Sequence, residues 1–137
     1  MKGMLTRMRT QGSPYICGEV VKGEQRGRLL GFPTANIDFK ASWLSFGVYG
    51  VKVRLQDQCY QGIMNIGVKP TFHENAFPVI EVHILDFSEM IYGETLETEI
   101  LFKVRDERKF DSFEDLKAQI KRDIEFTKEK FRQMLNR

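Results

Sequence analysis

The apolar residues of this chain change their spacing once, and that change limits what it can fold into. Up to about residue 104 they alternate; from residue 113 they recur every three or four. Over 47–56, Tyr49, Val51, Val53 and Leu55 share one face and Lys52, Arg54 and Gln56 the other, as in a strand with one buried side. Over 79–86, Ile80, Val82 and Ile84 oppose Glu81 and His83. Over 95–104, Leu96, Ile100, Phe102 and Val104 oppose Glu97, Glu99 and Lys103, with Leu101 among the latter. Residues 15–22 and 59–67 read as further strands, the second after a turn at Gln56-Asp57-Gln58. Then Phe113, Leu116, Ile120, Ile124, Thr127, Phe131 and Leu135 form the stripe of an amphipathic helix. Ser112 and Asp115 make a capping box at its start. Short antiparallel strands followed by one helix predict a small barrel or closed sheet, plugged or flanked by that helix.

A chain of 137 residues is one domain. It is long enough to hold a core without disulfides or a structural metal. With 42% hydrophobic and 29% charged residues it is not a disordered tail, a collagen-like repeat or a disulfide scaffold. Lys and Arg number 21 against 19 Asp and Glu, a net charge of +2. A non-specific nucleic-acid binder needs a basic stripe, so no nucleic-acid partner is expected, while a local anion site stays open. No window approaches the ~20 apolar residues of a membrane span. The opening MKGMLTRMRTQGSPY lacks the apolar run of a signal peptide. A cytoplasmic protein without membrane contact is expected, with Cys17 and Cys59 as reduced, packed thiols. Residues 1–14 read as a polar lead-in and 15–137 as the domain.

The unusual segment is 18–36, GEVVKGEQRGRLLGFPTAN. Its glycines fit neither the dinucleotide fingerprint nor the phosphate loop, because Glu24-Gln25 stands where the latter needs Lys-Ser/Thr. Residues 23–36 are too rich in glycine for an ordinary strand. Glycines let backbone N–H groups approach an anion, and Lys22, Arg26 and Arg28 are interleaved with them, so a polyphosphate ligand fits. A strand, a bulge and two turns with solvated charges fit as well. Thr34 and Asn36 follow a rigid Pro33, and in extended backbone they face the same side. Two neutral oxygens suit Mg²⁺ once phosphates complete its shell; they also suit a turn cap.

These residues resemble the riboflavin kinase (flavokinase) family. Gly18-x-Val20-x-x-Gly23 and Gly31-Phe32-Pro33-Thr34-Ala35-Asn36 look like its signature. Met64-Asn65-Ile66-Gly67-Val68-Lys69-Pro70-Thr71-Phe72, Glu81–Phe87 followed by Tyr92-Gly93, and Val104–Ser112 resemble three later blocks, so the likeness runs from about residue 15 to about 130. It implies an all-β, six-stranded antiparallel Greek-key barrel with a C-terminal α-helix. It implies transfer of the ATP γ-phosphoryl group to the ribityl 5′-hydroxyl of riboflavin, giving FMN and ADP. Position by position, Glu81 matches the catalytic glutamate, and Thr34 and Asn36 the Mg²⁺ pair. Gly23, Arg28, Thr34, Asn36, Ile84, Asp86 and Tyr92 match the ATP site. Arg105, Arg108 and Phe110 match the flavin loop. His83 reads as structural support. In bacteria this unit usually follows an adenylyltransferase domain, so such a domain in a longer parent chain is the implied partner. His73 and His83 are the two histidines, and neither has the HxGH context of that second activity, so this chain alone is not expected to make FAD. The alternative is a catalytically weak paralogue that binds flavin or nucleotide as a regulatory module.

Overall fold

The alternating segments pair edge to edge in the computed structural model, which describes residues 6–9, 13–21, 32–39, 45–67 and 78–135. In chain order these hold β1 (Thr6–Arg9), β2 (Ser13–Val21), β3 (Ala35–Asp38), β4 (Gly47–Leu55), β5 (Gln58–Gly67), β6 (Val79–Ile84), β7 (Thr95–Arg105) and α1 (Phe113–Leu135). The strand order is β1-β2-β3-β6-β5-β4-β7, and β2 also pairs with β7. That pairing closes β2-β3-β6-β5-β4-β7 into a six-stranded antiparallel barrel, with β1 outside the ring. β4, β5 and β6 are successive antiparallel neighbours and β3 lies beside β6, which is a Greek key. The expected barrel with a C-terminal helix is therefore the observed fold.

Two strands lie where none was expected. β1 falls within the stretch read as a lead-in, and β3 begins within the stretch judged too glycine-rich. Both hydrogen-bond to β2, one after the other along its length. Gly18 allows the second approach, since a Cβ there would sit 2.6 Å from Ile37 Cγ2 and 2.8 Å from the Asp38 carbonyl oxygen.

The lumen is filled, not hollow. Ile16, Val51, Val53, Met64, Ile66, Ile80, Val82 and Leu96 are each at most 1% exposed. Thr98 is fully buried among them and donates its hydroxyl to the Ile16 carbonyl at 2.8 Å, so its burial strands no polar group. On β7 the predicted single apolar face breaks. Register shifts against β4 between Gly50 and Val51, and between Val48 and Tyr49, each insert an extra β7 residue. Leu96 and Ile100 stay with the lumen. Phe102 and Val104 turn to the outer surface.

That surface carries α1, which flanks the barrel rather than plugging it. Ile124 and Val104 pack with Val48, Ile63 and Leu85. The Phe102 ring meets Phe126 and Phe131 edge to face at 6.4 and 5.3 Å. Phe102 lies over Gly50, where any Cβ would enter the ring. The helix buries Asp123, Thr127 and Phe131, whereas Phe113 and Leu135, at the ends of the predicted stripe, are 65% and 75% exposed. Ser112 Oγ accepts from the Asp115 backbone N–H at 3.1 Å, as the predicted cap requires. Both cysteines are free; Cys17 is buried, but Cys59, at the turn-proximal end of β5, is exposed rather than packed. Among the described residues no helix is long and apolar enough to cross a membrane.

Candidate active site

Directly opposed residues of antiparallel strands project from one face. Asn36 on β3 opposes Glu81 on β6, Glu81 opposes Asn65 on β5, Asn65 opposes Val48 on β4, and Val48 opposes Arg105 on β7. Their chain neighbours Ala35, Ile37, Met64, Ile66, Ile80 and Val82 belong to the lumen, so this row faces outward. Asn36 is buried; Glu81, Asn65 and Arg105 are half-buried. At ~4.8 Å per strand, Glu81 lies one step from Asn36 and Asn65, and roughly 14 Å from Arg105.

His83 holds the segment before β3. Its Nδ1–H donates to the Pro33 carbonyl at 2.8 Å, and its ring meets Phe32 edge to face at 6.0 Å. The predicted supporting role thus has a definite object, the turn that presents Thr34. Thr34 lines a cleft of about 170 Å³ at one barrel mouth, with Val20, Ile84, Phe87 and Tyr92. The loop after β6 forms its far wall. Gly93 N–H donates to the Val20 carbonyl at 2.9 Å, Val20 N–H to the Glu94 carbonyl at 2.8 Å, and Phe87 packs on Tyr60. Asp86 does not join Ile84 and Tyr92 there. It takes a left-handed backbone (φ 57°) and faces Lys128 of α1 at 3.7 Å. Gly23 and Arg28 lie outside the described residues.

The flavin-loop candidates converge. Two guanidinium groups lie over the Phe110 ring, with Arg105 Cζ 5.5 Å and Arg108 Cζ 4.6 Å from its centre. Arg105 is aimed by the helix. Its Nε donates to both carboxylate oxygens of Asp123 at 3.0 Å, and its Nη1 to the Asp106 carbonyl at 3.1 Å. Gln119 donates to the same carboxylate at 2.9 Å. Asp123 is 4% exposed. Sequence reasoning missed it, although a carboxylate beside Ile120, Ile124 and Thr127 was the available signal. At the start of the loop Lys103 bonds Asp106 at 2.5 Å. The hydrogen bond from Lys103 holds the Asp106 carboxyl below its ordinary value, and the same bond raises Lys103.

Asn36 and Thr34 offer one amide and one hydroxyl oxygen. Among the described residues no group of three His, Cys, Asp or Glu could hold a metal ion. Neutral oxygens of this kind suit a hard cation that keeps waters and shares substrate phosphates.

A family profile described as riboflavin kinase matches residues 11–131. The chain belongs to the riboflavin kinase family. The RNA-binding riboflavin kinase RibR of Bacillus subtilis (strain 168) is 53% identical over 116 residues, which cover 85% of this chain and 50% of that protein. The bifunctional riboflavin kinase/FMN adenylyltransferase of Haemophilus influenzae (strain ATCC 51907 / DSM 11121 / KW20 / Rd) is 46% identical, over 85% of this chain and 39% of that protein. The chain thus spans half or less of the length of these curated relatives. A solved riboflavin kinase from Trypanosoma brucei shares the fold, with a TM-score of 0.61 at 23% identity over 86% of this chain and 79% of that one.

Proposed function

We propose that this riboflavin kinase family member transfers the γ-phosphoryl group of ATP to the ribityl 5′-hydroxyl of riboflavin, yielding FMN and ADP in the cytoplasm. The observation that carries the reading is the outward row from Asn36 through Glu81 to Arg105. It puts the Asn36 amide, the Glu81 carboxylate and the Arg105 guanidinium on one face, an order that supports phosphate at one end and flavin at the other.

Phosphoryl transfer depends on positioning and charge neutralisation. The mouth cleft, with Thr34, Ile84 and Tyr92, takes the nucleotide, and Gly23 and Arg28 take its phosphates. Thr34 and Asn36 would hold Mg²⁺, which when bound neutralises phosphate charge. Glu81, beside Asn36, accepts the proton of the ribityl hydroxyl as its oxygen bonds to the γ-phosphorus. The P–O bond to the β-phosphate breaks and ADP leaves with that electron pair. The planar groups gathered at Phe110, its own ring and the Arg105 and Arg108 guanidinium groups over it, give the isoalloxazine a flat, cationic partner. FMN would then serve an adenylyltransferase domain in a longer parent chain, a linkage that the name of the Haemophilus relative supports.

The test is an incubation with riboflavin, ATP and Mg²⁺, resolved by chromatography with fluorescence detection, beside Glu81→Gln. The expected result is metal-dependent FMN, with turnover lowered about 10²-fold or more in the variant. An unchanged kcat would remove Glu81 from this role. Tight flavin binding without any FMN would instead establish the regulatory paralogue.

A further inference from the structure

We infer that Asn65 is a specificity residue whose amide reads the secondary hydroxyls of the flavin's ribityl chain. The inference rests on the kinase reading above.

Asn65 lies in the Met64–Gly67 segment, whose other side chains already have a task. Met64 and Ile66 are 0% and 1% exposed and fill the lumen. Asn65 faces the other way and is half-buried. Its register partners are Glu81 on one side and Val48 on the other. Along β5 its same-face neighbours are Ile63, which packs under the helix, and Gly67, over which the Glu107 carboxylate lies. In the row between Glu81 and Arg105, Asn65 is therefore the polar side chain, and Val48 is apolar.

The spacing fits the substrate. A five-carbon chain with C–C bonds of ~1.5 Å extends on the order of 6–7 Å. With its terminal hydroxyl at Glu81 and its ring toward Phe110, the secondary hydroxyls fall roughly 1.5–5 Å along from Glu81, within reach of Asn65, which stands one strand spacing away at about 4.8 Å. An amide presents one acceptor and two donors, and a run of secondary alcohols presents the same pair of functions along its length. A site that hydrogen-bonds hydroxyls discriminates strongly against a chain lacking them, because its own polar group is then left without a partner.

The test compares riboflavin with a flavin carrying a 5-hydroxypentyl chain, which keeps the terminal hydroxyl and lacks the secondary ones. Both kcat/KM and the dissociation constant from flavin fluorescence quenching are read for wild type, Asn65→Ala and Asn65→Ser. For wild type, riboflavin should be preferred. In Asn65→Ala, kcat/KM and affinity for riboflavin should fall roughly 10- to 100-fold, while those for hydroxypentyl flavin stay within about twofold. The preference would thus collapse. Asn65→Ser should lie between. Equal losses on both flavins would overturn the inference, since they would mean that Asn65 supports Glu81 or the strand. An undiminished preference in Asn65→Ala would overturn it too. If wild type phosphorylated neither flavin, the kinase reading itself would fall. A variant too unstable for turnover is still judged by the ratio of the two dissociation constants in Asn65→Ser.

Discussion

Gly50→Ala tests how the helix is seated. Alanine is better suited to a strand than glycine, by roughly 0.5–1 kcal/mol, so local preference favours the change. The structure predicts the opposite sign, because the new Cβ would enter the Phe102 ring. Phe126 and Phe131 meet that ring edge to face, so displacing it disturbs both contacts. Overpacking costs ~1–3 kcal/mol. Set against the strand preference, and with Phe102 half-buried, this leaves a net loss of about 1 kcal/mol. For a domain of this size that lowers Tm by roughly 3–5 °C. Thermal and urea unfolding would measure it, together with Phe102→Leu and the double variant. If the clash is the cause, Gly50→Ala should cost no more than about 0.5 kcal/mol once Phe102 is already leucine. A Tm within about 1 °C of wild type, or losses that simply add, would refute the reasoning.

Asn36→Ala should raise the Mg²⁺ midpoint of FMN formation by roughly tenfold or more; an unchanged titration curve would withdraw Asn36 from the metal. Arg105→Met strands the buried Asp123 carboxylate and should cost about 3 kcal/mol in urea unfolding, a loss that adding Asp123→Leu largely reverses while flavin affinity stays impaired. The Asp106 carboxyl is lowered by its bond from Lys103. Its contribution is thus present above the carboxylate's ordinary value near pH 4 and lost as pH falls through the lower folded value. Lys103→Met should flatten that acid limb in melts run across pH 2–5, and an unchanged profile would deny the coupling.

Much of this architecture was legible because the barrel has one apolar side. Val51, Val53 and Leu55, like Ile80, Val82 and Ile84, show a period of two that only a half-buried strand imposes. β3 was not legible, since four residues carry too little pattern and their partners lie elsewhere in the chain. The turning of Phe102 and Val104 was invisible for another reason. A bulge is decided by how two strands meet, and the local sequence still alternates. At the site, Glu81, Asn36 and the Arg105–Phe110 loop came from motifs, whereas the standing of Asn65 beside Glu81 depends on register between strands. Asp123 was overlooked because a charge near an apolar stripe reads as solvated until its arginine is known.

The seam between β2 and β7 has a consequence in time. Tyr15 and Glu97, joined by a hydrogen bond across it, are 82 residues apart. A ribosome adding ~5–20 residues per second delivers the second partner roughly 4–16 s after the first. For that interval the β7-facing edge of β2 is exposed with its backbone groups unclaimed, the condition in which strands recruit strangers. The nascent barrel must therefore wait, open on one side, until β7 has been made, and its yield in the cell depends on what keeps that edge company.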